Sequence, residues 1–86
     1  MLLLLKLLLL FWLYLSSNKI SDINILEKIN FKELKKLNLY GNNILDISVL
    51  EKVKFEKLEK LNLGSNYIDT NEYSSIINNL KYKIIF

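Results

Sequence analysis

From Leu10 to Ile68 the apolar positions of the chain recur with a constant step of 24 residues. Leu10, Leu34 and Leu58 share one phase, Leu13, Leu37 and Leu61 a second, and Leu15, Leu39 and Leu63 a third. Ile20, Ile44 and Ile68 follow, and Asn18, Asn42 and Asn66 keep the same interval. A period of this size marks a repeat architecture, in which units stack on their neighbours instead of closing round one centre. In the central copy, LKKLNLYGNNILDI, Leu37 and Leu39 flank the polar Asn38, the alternation of a short strand with one buried face. Leu34 and Ile44 bracket that strand and turn the chain inward on either side. Asn42 falls where the chain must bend, and an amide side chain there satisfies backbone groups that a tight coil would leave unpaired. Stacked coils are therefore expected to align Asn18, Asn42 and Asn66 into a ladder and the leucines into a continuous wedge of core.

The connections carry a second rhythm. In DINILEKINF and DISVLEKVKF, which begin at Asp22 and Asp46, apolar residues fall on every third position: Ile23, Leu26, Ile29, then Ile47, Leu50, Val53. That spacing predicts one short helix or a 3₁₀ segment facing the leucines. Asp22 and Asp46 are expected to be its N-caps, and Glu27, Lys28, Glu51 and Lys52 its solvated side. Phe31 and Phe55 are expected to form a second stacked column between helix and strand. The stretch from Thr70 to Lys81 departs from the pattern, because the 24-residue step meets Asn71, Ser74 and Asn79 where earlier copies are apolar. Ile76, Ile77 and Leu80 instead sit at helical spacing behind a Thr70 or Asn71 cap, which predicts a helix followed by a last strand over Tyr82 to Phe86. Ile84, Ile85 and Phe86 would lie at a sheet edge, where a further repeat or a covering partner is expected.

The motif L-x-x-L-x-L-x-x-N-x-I at this period resembles the signature of leucine-rich repeat proteins. Its ending, N-x-I-x-D-I at Asn18, Ile20, Asp22, Ile23 and at Asn42, Ile44, Asp46, Ile47, is similar to repeats of bacterial internalins and of the intracellular regulatory subunits of a protein phosphatase. The resemblance implies an α/β fold: a short solenoid with a parallel sheet on its concave side and short helices or 3₁₀ turns on its convex side, used to bind other proteins. Residues 10–86 would form this domain, with three copies of the motif and an atypical C-terminal coil. Residues 1–17 would be an apolar leader or a degenerate first repeat.

Those first residues, MLLLLKLLLLFWLYL as far as Leu15, support two readings. The apolar run suits the core of a secretory signal, with Ser16 and Ser17 as small residues near a cleavage point. It is short for a membrane span, which needs about 20 apolar residues, and Lys6 lies inside the run instead of ahead of it. As a repeat, Leu2, Leu5, Leu7 and Leu10 take the core positions of Leu26, Ile29, Phe31 and Leu34. Leu3, Leu4, Leu8, Leu9, Phe11 and Trp12 would then face outward, a surface expected to meet a partner, a membrane or another repeat. The sequence leaves both open, and with them the choice between a cytoplasmic, a secreted and a membrane-associated location.

Composition narrows the chemistry. Eighty-six residues make one domain that buries only about 60% of its unfolded surface, so end coils need caps or a partner. The chain has neither cysteine nor histidine, which removes the disulfide, the thiol nucleophile and the usual acid–base group near neutral pH. Ser16, Ser17, Ser65, Ser74 and Ser75 read as turn and surface residues, and no catalytic activity is expected. Asp22, Asp46 and Asp69 recur coil by coil, a ladder that could attract calcium but whose simpler role is capping. Gly41 and Gly64 are isolated and sit in no phosphate-binding motif. No metal or cofactor is expected. The net charge of +3 arises from lysines interleaved with glutamates, as along Glu51–Lys60. Lys36 and Lys60 share one outward position, yet without arginine to grip phosphate a nucleic-acid partner is disfavoured.

If the leucines point inward, the alternate residues point out along the sheet. They are Trp12, Tyr14 and Ser16 in the first copy, Lys36, Asn38 and Tyr40 in the second, and Lys60, Asn62 and Gly64 in the third. Trp12, Tyr14, Lys36, Asn38, Tyr40, Lys60 and Asn62 are the candidate partner contacts, with the aromatics as anchors. Asn18, Asn42 and Asn66 are assigned to structure. The function expected is a non-catalytic protein-binding module. The alternative is a secreted or membrane-associated repeat protein located by residues 1–15.

Overall fold

The computed structural model describes residues 12–14, 19–28 and 31–86, with only the backbone of residues 12–14. Four three-residue strands, β1 (Trp12–Tyr14), β2 (Lys36–Asn38), β3 (Lys60–Asn62) and β4 (Lys83–Ile85), form one parallel sheet in chain order. Leu13, Leu37, Leu61 and Ile84 are successive Cα partners in the middle of it. The ladder runs past the strand ends: Leu39 N–H donates to Asn62 O at 2.8 Å and Leu63 N–H to Ile85 O at 2.7 Å. Leu37, Leu39, Leu61 and Leu63 are buried, which is the half-buried alternation expected of their spacing.

Opposite connections are short because their apolar residues are three apart. Two 3₁₀ segments, Asn24–Lys28 and Ser48–Glu51, carry Leu26 and Leu50 into the core. Three residues per turn eclipses positions i and i+3, so Ile23 with Leu26 and Ile47 with Leu50 face the leucines together. The bonds show it, with Leu26 N–H donating to Ile23 O and Leu50 N–H to Ile47 O, each at 3.0 Å. Val53 is half-buried, Val49 adds an unanticipated buried methyl pair, and Ile29 lies outside the described residues.

The last coil differs. Helix α1 (Ser74–Asn79) is α-helical and shorter than the Thr70-to-Lys81 helix expected from the sequence. Ile76, Ile77 and Leu80 are one, three and four apart, the spacing of 3.6 residues per turn, and Ile77 N–H reaches back four residues to Tyr73 O. Neither Thr70 nor Asn71 is the cap: Tyr73 occupies that position and makes no side-chain cap bond. The last strand is Lys83–Ile85, narrower than the expected Tyr82 to Phe86.

Register explains the change. Lys36 pairs with Lys60 after 24 residues, but Lys60 pairs with Lys83 after 23. Asn42-x-Ile44-x-Asp46 has become Asn66-x-Ile68-Asp69, so the missing residue falls just before the aspartate. Beyond it each coil again takes 14 residues from aspartate to strand: Asp22 to Lys36, Asp46 to Lys60, Asp69 to Lys83.

Phe31 and Phe55 stack with ring centroids 5.4 Å apart, and Tyr82 continues their column edge-on to Phe55 at 5.5 Å. No helix among the described residues is long and apolar enough to cross a membrane. The apolar run before Trp12 lies outside them.

Truncating Leu37 or Leu61 to alanine is expected to cost about 3 kcal/mol, since each leaves a cavity in a fully packed column. Leu45→Ala should stay within about 0.5 kcal/mol because Leu45 is 63% exposed. Urea denaturation of the three variants checks the ranking, and equal losses would remove the column.

Candidate interaction face

Sheet register sets the outward positions in columns. Trp12, Lys36, Lys60 and Lys83 are successive Cα partners, as are Tyr14, Asn38, Asn62 and Ile85. The side chains of Trp12 and Tyr14, and Ser16 altogether, lie outside the described residues. Lys83 was not among the sequence candidates, because the 24-residue step from Lys60 arrives at Ile84. The contraction of N-x-I-x-D to N-x-I-D at Asp69 was the signal that would have found it.

Asn38 and Asn62 stand on the face but are half-committed to the backbone. Asn38 Oδ1 accepts the N–H of Tyr40 at 3.0 Å and Asn62 Oδ1 that of Gly64 at 2.9 Å. Each side-chain oxygen therefore holds the bend that follows its strand, leaving the Nδ2 group as the donor for a partner. Tyr40 is 46% exposed. Its ring lies over Gly64, where an added Cβ would stand 3.0 Å from Tyr40 Cδ2. Gly64 is consequently buried beneath Tyr40, not presented outward as the alternation suggested. Gly41 turns there with φ 72°, and Ser65, one repeat later, takes the same left-handed form with φ 52°. Gly41 N–H donates to Gly64 O at 2.9 Å and so locks one bend onto the next.

Behind the face runs the asparagine pair. Asn42 is 2% exposed; its Oδ1 accepts the N–H of Ile20 at 3.0 Å and its Nδ2 donates to Leu39 O at 2.9 Å. Asn66 repeats this one coil on, with Oδ1 accepting from Ile44 N–H at 3.0 Å and Nδ2 donating to Leu39 O at 2.9 Å and Leu63 O at 3.0 Å. Asn18 lies outside the described residues.

On the opposite side the aspartates act one position earlier than an N-cap. Asp22 Oδ1 accepts the N–H of Asn24 and Asp46 Oδ1 that of Ser48, both at 2.8 Å, while Ile47 occupies the cap position without a side-chain bond. Asp69 accepts from Asn71 and Glu72 in the same manner. The cause is geometric: a side chain two residues ahead forms a turn mimic that starts a 3₁₀ segment directly. Hydrogen bonds from the Ser48 backbone and hydroxyl hold the Asp46 carboxyl below its ordinary value, with Tyr73 Oη adding a bond at 3.2 Å. Among the described residues no group of three or more such ligands gathers to hold a metal.

Lys57 and Glu33, a 24-residue pair, meet at 2.8 Å on the exposed surface. The outward column is different, since Lys60 and Lys83 have no ion pair among the described residues. Like charges one strand apart, about 4.8 Å, repel by roughly 1 kcal/mol in water. The described part of the face thus presents hydroxyl, amide and ammonium donors.

A family model described as Leucine Rich repeats (2 copies) matches residues 10–52. The chain matches no curated protein and no solved structure.

Two tests follow from the geometry. Asn42→Ala, which strands the Ile20 N–H and leaves the Leu39 carbonyl to Asn66 Nδ2 alone, is expected to cost about 1–3 kcal/mol in urea denaturation, whereas Asn43→Ala, at an exposed position, should cost under about 0.5 kcal/mol. For Asp46 the sign follows from the lowered folded pKa: its stabilisation is present above the ordinary value of 3.8 and is lost as pH falls through the folded value. The slope of stability against pH below about pH 4 should therefore be shallower in Asp46→Asn than in the parent chain, and superimposable acid titrations would contradict it.

Proposed function

Because the chain belongs to the leucine-rich repeat family, whose domains generally mediate protein–protein interaction, we propose that it is a non-catalytic binding module whose sheet face docks a partner protein. In this reading residues 10–86 act as one unit, a short solenoid with the sheet on its concave side. The observation that supports it is the register itself. Outward residues of successive coils fall into straight columns, so a partner meets a preordered surface and ordering entropy is already spent in folding. Tyr40 is the described anchor, a large ring half out of the surface and braced from below by Gly64. Lys36, Lys60, Asn38 and Asn62 surround it with donors, and Trp12 and Tyr14 extend the face through β1.

Tyr40→Ala combined with Lys36→Gln is expected to weaken capture of a cell-extract partner about tenfold or more, while far-UV circular dichroism stays unchanged. Glu51→Gln with Lys52→Gln, on the exposed 3₁₀ side, should leave capture as it was. Undiminished capture by the first pair rejects the sheet face as the binding surface.

A further inference from the structure

We infer that two copies of the chain join edge to edge along β4, with the strands antiparallel about a two-fold axis through Ile84. The surface is the end of the stack, apart from the outward face proposed above. Its first mark is the pattern of cover. Phe86 follows Leu39 and Leu63 in register, and it is 47% exposed where each of those leucines is 1% exposed. Ile84 follows Leu37 and Leu61, both sealed, and is only half-buried. Ile76, Ile77 and Leu80, in and just after α1, pack against the core and are half-buried too. Apolar positions that a neighbouring coil seals elsewhere are therefore open here, in the strand layer and in the helix layer together.

The second mark is the backbone. Among the described residues β4 is the last strand in the order of the sheet. Lys83 N–H donates to Glu59 O and Ile85 O accepts from Leu63 N–H, so these two residues turn their polar groups toward β3. The N–H and C=O of Ile84, between them, point to the free side. Covering this end whole takes an unpaired strand with an apolar helix layer behind it, and the end itself has that form. A lone extended peptide would pair with the strand and leave α1 uncovered.

Register decides how the copies meet. Pairing centred on Ile84 lets the two Ile84 residues exchange N–H···O bonds, and the two-fold keeps both cores on one side of the joined sheet. On the outward face it sets Lys83 opposite the second copy's Ile85, twice by symmetry. Centring on Lys83 would instead set lysine on lysine, which is unfavourable. Charge raises no barrier at this end: from Asp69 onward the chain carries Asp69 and Glu72 against Lys81 and Lys83, with Glu59 next to Lys83 across the ladder.

The test is sedimentation velocity of the full chain from about 1 to about 100 μM, with thermal melts run alongside. The parent chain should pass from monomer to dimer and stop there. Ile85→Lys and Ile85→Glu both give up the isoleucine, but the first sets like charges opposite Lys83 and the second opposite charges, at two places in the dimer. The dissociation constant should therefore be about tenfold higher for Ile85→Lys than for Ile85→Glu. Adding Lys83→Glu to Ile85→Lys reverses the pair and should bring back the tighter value. Tyr40→Ala with Lys36→Gln, on the outward face, should leave the dimer unchanged. A chain that stays monomeric throughout, as it would if a different protein covers this end, overturns the inference, and so does one that grows past the dimer. Equal constants for the two Ile85 variants, or no recovery with Lys83→Glu, remove the Ile84-centred edge. Matching melts of the two Ile85 variants confirm that folding is not what separates them.

Discussion

The coils that carry β2 and β3 bend sharply after their strands, and the backbone groups at those bends need partners. Asn42 and Asn66 meet this constraint with one side chain each, accepting an N–H from the preceding coil and returning a donor to carbonyls beside them. The bonds run between Asn42 and Ile20, and between Asn66 and both Ile44 and Leu39, so they fix how one coil sits on the next as well as how each turns. An unpaired amide or carbonyl in that position would cost about 1–3 kcal/mol. In a domain whose whole stability is of the order of 5–15 kcal/mol, such a loss decides whether the coils stack.

Once the bends are locked, the register of everything else is determined. Leucines come to lie on leucines, which is favourable, and lysines on lysines, which is not. The same two-residue alternation that buries Leu37 and Leu61 leaves Lys36 half-buried and Lys60 exposed. Burial of a leucine contributes about 1.5–3 kcal/mol, more than the roughly 1 kcal/mol of repulsion between solvated neighbours, so the apolar column prevails and the charged one is carried with it. A repeat therefore produces strips of like chemistry on its surface without any further device, and such strips are what a partner can match.

Much of this was legible in the sequence because it rests on period and alternation: the parallel strands, the inward leucines, the eclipsed Ile47 and Leu50, the stacking of Phe31 on Phe55. What was not legible depends on how a turn is closed locally. Asp22 and Asp46, expected to be the caps themselves, act from one place ahead of the cap position, since a carboxylate that bonds two residues on starts a 3₁₀ turn directly. Gly64 alternates outward by count yet is covered, because its missing side chain admits the ring of Tyr40. Lys83 entered the column only because one residue is absent before Asp69, a change that shifts all later phases while leaving each later residue type unremarkable.

The last coil shows how far the units can differ while the stack persists. From aspartate to strand it spends the same 14 residues as its predecessors, but it winds six of them as α-helix, which advances about 1.5 Å per residue against about 2.0 Å in a 3₁₀ turn. Residues are consumed faster than distance is covered, and the position nine after the aspartate, held by Phe31 and Phe55 in earlier coils, falls to Asn78. The aromatic column still has to be closed, and Tyr82, immediately before β4, supplies the ring edge-on to Phe55. A phenol is a costlier plug than a phenyl ring. Its buried hydroxyl has no hydrogen-bond partner among the described residues, and burial pushes its pKa up to about 12. The ring sits edge-on to Phe55 and completes the column by shape, while the hydroxyl beside it stays neutral well above neutral pH.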